Sequence, residues 1–139
     1  MSYEESLKSI SLDADDTIGI YTGVPGLPGS ADPNYGMQYH FLEITGPHQV
    51  GLYAGGKCVG VLQNKPQKPG AASTVGFHGV SNVMVGQGTV IAAGDLIAAD
   101  PATGLAIVGA PDTAVGVAIY GADGATEGVI IPVLLTLAS

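Results

Sequence analysis

The chain has 139 residues, 46% of them hydrophobic, with 22 Gly, 9 Pro, a single Cys and no Trp. A domain of this length buries roughly two-thirds of the surface its unfolded chain exposes, so it needs no disulfide or metal staple. The formal net charge of −8, from 12 Asp+Glu against 4 Lys+Arg, leaves no basic stripe to release counterions from phosphate, which argues against nucleic acid and against anionic membranes as partners.

The first residues, Met1-Ser2-Tyr3-Glu4-Glu5-Ser6, carry acids where a secretory signal carries bases, so synthesis in the cytoplasm is expected. Tyr3, Leu7 and Ile10 fall at helical spacing, and the same stretch reads equally well as an extended arm. Asp13-Ala14-Asp15-Asp16 reads as a turn before a short apolar stretch from Ile18 to Tyr21. From Gly23 through Pro25, Gly26, Pro28 and Gly29 to Gly36 the chain can be neither helix nor central strand, because Pro lacks the N–H donor and Gly weakens both elements. Residues 1–36 are therefore assigned to an N-terminal arm and loop, and 37–139 to a β-domain. Val24, Leu27 and Pro28 would either dock on a partner or pack on the domain itself.

Met37 to Ile44 is the first expected strand, and beyond Gly56 the pattern becomes regular. Cys58–Leu62 reads as a strand and 63–70 as a polar loop with Lys65 and Lys68. Thr74–His78 and Val83–Val85 alternate apolar with small or polar residues, as half-buried strands do. Gly86-Gln87-Gly88 and Ala92-Ala93-Gly94-Asp95 are expected turns, and Leu96–Ala99 returns through Asp100–Gly104 to Leu105–Val108 as a hairpin. Val115–Tyr120 and Val129–Leu135 complete the set. Turn signals every eight to twelve residues, with no helix of ordinary length, describe an all-β protein, a small barrel or sandwich. The longest apolar run, Gly128 to Leu137 interrupted by Pro132, is too short to span a bilayer.

Chemistry-bearing constellations are hard to find. His40, His48 and His78 lack ligand spacing, and Asp13, Asp15 and Asp16 miss the Gly and closing Glu of a calcium loop. Gly86-Gln87-Gly88 lacks the third Gly and following helix of a phosphate cradle, and no Gly-x-Ser-x-Gly elbow occurs. Cys58, in an apolar stretch, reads as a buried, inert thiol. No enzyme activity, metal or cofactor is expected.

The succession from Gly60-Val61-Leu62-Gln63-Asn64-Lys65-Pro66 through Ala93-Gly94-Asp95-Leu96-Ile97, Gly104-Leu105-Ala106 and Val115-Gly116-Val117-Ala118 to Ile131-Pro132-Val133-Leu134-Leu135 resembles the bacteriophage capsid decoration (cement) proteins. Tyr3 to Leu7, Ser11 to Asp15 and the Thr22 to Gly26 loop look like the actinophage-type members. The resemblance implies a β-tulip-like domain with an extended Gly/Pro-rich arm, assembling as a homotrimer at three-fold or quasi-three-fold positions on the outer capsid surface of a virion. Its partner would be the major capsid protein, and its role capsid stabilisation. The family commonly grips the shell through its arm, which makes Tyr3, Leu7, Ile10, Val24, Leu27, Pro28 and Tyr35 the candidate capsid contacts. The alternative is a virion-displayed module that binds host-surface glycan, which the scarcity of aromatic residues disfavours.

Overall fold

The computed structural model describes residues 7–18, 37–66, 68–123 and 128–137. The described residues form strands and turns and contain no helix, so the protein is all-β. The first strands are β1 (Lys8–Ala14), β2 (Phe41–Gly46), β3 (Gln49–Leu52), β4 (Cys58–Leu62) and the long β5 (Ala72–Met84). They pair in the order β1-β3-β2-β4-β5, and β5 pairs again with β1, which closes a five-stranded barrel. The closing ladder is antiparallel and runs from Ser9↔Gly76 to Asp13↔Ala72, with a register shift at Lys8/Ser9.

Strand periodicity then builds two cores. Successive side chains point to opposite faces, so each barrel strand can feed both. Leu42, Leu62, Val50, Val75, Ala14 and Ile18 form one buried cluster, the filling of the barrel. Phe41 and Val61, next to Leu42 and Leu62 in sequence, belong to the other cluster together with Val83, Ile97, Ile131 and Val133. A barrel this narrow has room only for side chains, which suits the Val, Leu and Ala inside it.

The second core belongs to the continuation of the sheet. Gly79, at φ 107, lies inside β5 where any L side chain would be strained, and there the strand changes partners. Before it, β5 pairs with β1 and β4; from it onward, β5 pairs with β11 (Ile130–Leu135), from Leu135↔Gly79 to Ile130↔Met84. The sheet goes on through β9 (Gly116–Ala118) and β7 (Leu96–Ala99) to β8 (Ala106–Val108). β8 curls back to the residue after β5, meeting it in a single parallel bridge, Val85↔Ala106. A short pair, β6 (Val90–Ile91) with β10 (Ala122–Asp123), stands apart from this sheet.

Several expected elements have the expected form. The Leu96–Val108 hairpin pairs Ile97 with Val108. Its Asp100 turn is held by Gly104 N–H donating to Asp100 O at 2.7 Å and Ala102 N–H to Asp100 Oδ1 at 2.9 Å. The Ala92–Asp95 turn is closed from both ends, Asp95 N–H to Ala92 O at 3.0 Å and Ala92 N–H to Asp95 Oδ2 at 2.9 Å.

Other elements differ. Thr74–His78 and Val83–Val85 are not separate strands: the first lies in β5, which runs on through Val83 and Met84, and Val85 bridges just beyond it. The first strand after residue 37 starts at Phe41, because Tyr39 is at φ 68 and His40 N–H donates to Met37 O in a turn. Lys8–Ala14, inside the segment assigned to the arm, is a barrel strand paired with β5 along most of its length and with β3 at Asp13 and Ala14. Its side chains carry little apolar signal, being exposed at Lys8, Ser9, Ser11 and Asp13.

Candidate docking surface

The polar chemistry of the described residues is sparse, and they contain no group of three or more His, Cys, Asp or Glu able to hold a metal. His40 is buried, with Nδ1 3.3 Å from Gln38 O. Burial pushes its pKa down, against the opposing pull of the Gln38 and Met37 carbonyls. His48, at φ 54 in the β2–β3 turn, lies 3.7 Å from the Asp13 carboxylate, a pair too exposed to matter much energetically. His78 is an exposed residue of β5. The Cys58 thiol is pushed up to about 11, chiefly by burial, which leaves almost no thiolate at neutral pH.

Of the candidate capsid contacts, Tyr3, Val24, Leu27, Pro28 and Tyr35 lie outside the described residues. Leu7 is half-buried and packs against the second core, over Gly76, where an added Cβ would come within 2.7 Å of it. Ile10 is 50% exposed. Residues three apart fall on one face of a helix but on opposite faces of a strand, and here the chain is extended from Lys8 onward, so Leu7 and Ile10 are separated.

Ile10 instead joins residues that are distant in sequence. The start of β1, the start of β4, the middle of β5 and the chain beyond β11 converge on an open groove of about 560 Å³. Its apolar surface comes from Ile10, Val59, Phe77 and Leu137, and Phe77 is 37% exposed. Around it stand Lys8, Lys57 and His78, and none of the described acidic residues lines it. Two of the chain's four basic residues thus meet at one place. Lys57 is presented by the loop after β3, which Glu43 braces by accepting a hydrogen bond from Ala54 N–H. Sequence reasoning found Ile10 but missed Lys8, Lys57, Phe77 and His78. An exposed Phe77 beside a polar His78 in an alternating strand was the available hint; ring closure supplies the rest.

A second hollow, about 810 Å³, lies between the 53–58 loop and the β7–β8 hairpin. It is lined largely by small residues, among them Gly55, Ala98, Gly109 and Ala114, with Lys57 and Asp112 both present. Elsewhere the outward face of the second sheet is apolar, with Leu134 45% and Ile130 43% exposed.

The arrangement is similar to a solved structure, the head fiber gp8.5 N base in bacteriophage phi29, with a TM-score of 0.52 and 17% sequence identity. The match covers 94% of this chain and 95% of that one, so the two share a fold from end to end. No protein-family model matches the chain, and no curated protein does.

Proposed function

We propose that this chain is a non-enzymatic structural component of a phage virion, carried on the outside of the head. The supporting observation is the end-to-end likeness in fold to the base of a phage head fiber. The acidity of the chain fits the outer face of a shell, where no DNA has to be approached. In the fuller form of the reading, the major capsid protein is the binding partner and the chain acts as a homotrimer. A ligand that binds only the assembled shell stabilises it by mass action, and three linked copies gain avidity without new contacts.

The fold reshapes the arm hypothesis. Lys8–Ala14 is already paired with β5 along most of its length and with β3 at Asp13 and Ala14, so donating it to a capsid edge would open the barrel. Removing everything before Met37 would take the closing strand out of the barrel, so loss of binding there would report unfolding. Removal of residues 1–6 alone keeps β1 and tests the contact assigned to Tyr3.

The decisive experiment mixes the purified chain with undecorated heads of the phage that encodes it. Co-sedimentation, a three-fold mass by light scattering and a higher temperature of DNA release are expected. A strict monomer that ignores the heads overturns the proposal.

A further inference from the structure

We infer that the groove at the end of the barrel is a docking site for an extended, acidic segment of another protein. The site combines lysine side chains with exposed apolar ones. None of the described acidic residues lines the groove, while Lys8 and Lys57 both do. Neither lysine has an ion-pair partner among the described residues. The groove is also lined by Ile10 and Phe77, large apolar side chains that are 50% and 37% exposed. Isolated exposed apolar residues are ordinary, but clustered ones rimmed by charge mark interaction sites.

Shape narrows the occupant. At about 560 Å³ the groove is within the range of specific ligand sites, but it is open to solvent. An open trough suits a chain laid across it. Recognition rests on side chains: an apolar residue of the partner over Ile10 and Phe77, with carboxylates placed towards Lys8 and Lys57. A basic segment would meet like charge in the groove, and a wholly apolar one would leave both lysines unused.

The inference goes beyond the virion reading, and its test needs no capsids. A short synthetic peptide alternating glutamate and leucine is titrated into the full chain and followed by amide chemical shifts. Saturable shifts centred on Lys8, Ile10, Val59 and Phe77, with a Kd of roughly 0.1–1 mM, are expected. The double charge reversal Lys8→Glu, Lys57→Glu should weaken binding about tenfold, as should raising salt to about 0.5 M. Phe77→Ser, at an exposed position, should weaken it without unfolding the chain. A peptide with lysine in place of glutamate should not bind. Equal binding of the two peptides, shifts centred elsewhere, or an unchanged affinity in the charge-reversed chain would overturn the inference. So would a concentration-dependent self-association that the reversal abolishes while the peptide is ignored, since a second copy would then own the groove.

Discussion

The two halves of the sheet solve the same problem to different degrees. The barrel closes through a ladder of six paired residues between β1 and β5. The second sheet curls round its own core but closes through one bridge, Val85↔Ala106, beside Gly86 N–H donating to Ala106 O at 2.9 Å. Its strands β8 and β9 are three residues each, and small residues such as Ala99, Ala106 and Ala118 line its core. Closure by a ladder removes an edge outright, whereas closure by a bridge only covers it. The difference predicts that the second sheet opens more readily than the barrel, and β5 joins the two.

That contrast can be attacked at the joint. Phe41 issues from the barrel but packs in the second core, so Phe41→Ala should remove about 3–5 kcal/mol and lower both halves together in a denaturant melt. Separate transitions for the two halves would show that they are less coupled than the packing implies. Gly60 tests the barrel alone. A Cβ there would lie 2.5 Å from Gly76 O across the β4–β5 pair, so Gly60→Ala should cost about 1–3 kcal/mol through strand separation.

Hydrogen exchange compares the halves without mutation. Barrel amides in the β1–β5 ladder should exchange at least about tenfold more slowly than those of the β7–β8 hairpin. Equal rates would mean that the single bridge closes the second sheet as firmly as the ladder closes the barrel.

His40, next to Phe41, offers a pH handle. Burial lowers its pKa, so below its ordinary value of 6.5 the unfolded chain binds the proton more readily than the folded one. Its contribution to stability is complete above that value and is lost as pH falls beneath it. Thermal melts should show a smaller decline in Tm between about pH 7.5 and pH 5.5 for His40→Gln than for the natural chain. The smallest effect is expected inside the barrel. The Ser73 hydroxyl is fully buried and has no hydrogen-bond partner among the described residues, so Ser73→Ala should be neutral or stabilise by up to about 1 kcal/mol. A clear loss of stability would reveal a partner for that hydroxyl.

Much of the second half was legible because its signals are local. The Ala92–Asp95 and Asp100–Gly104 turns are written in side chains that bond to their own backbone, and the strands between them are too short for anything but extended structure. β1 was not legible as a barrel strand, since four of its seven side chains are polar and exposed, and its stability comes from ladders to β3 and β5. The junction at Gly79 was hidden for a similar reason. One Gly among 22 does not announce that a strand changes partners there.

The amino-acid sequence by itself determined the all-β class, the turns and the acidic surface, because propensity, turn chemistry and charge are properties of neighbouring residues. Only the tertiary structure decided that β1 closes a barrel, that β5 serves two sheets, and that Lys8, Ile10, Lys57 and Phe77 share one groove. Those outcomes depend on pairings between residues far apart in the chain. Their energies come from ladders and burial that exist only once the ring has closed.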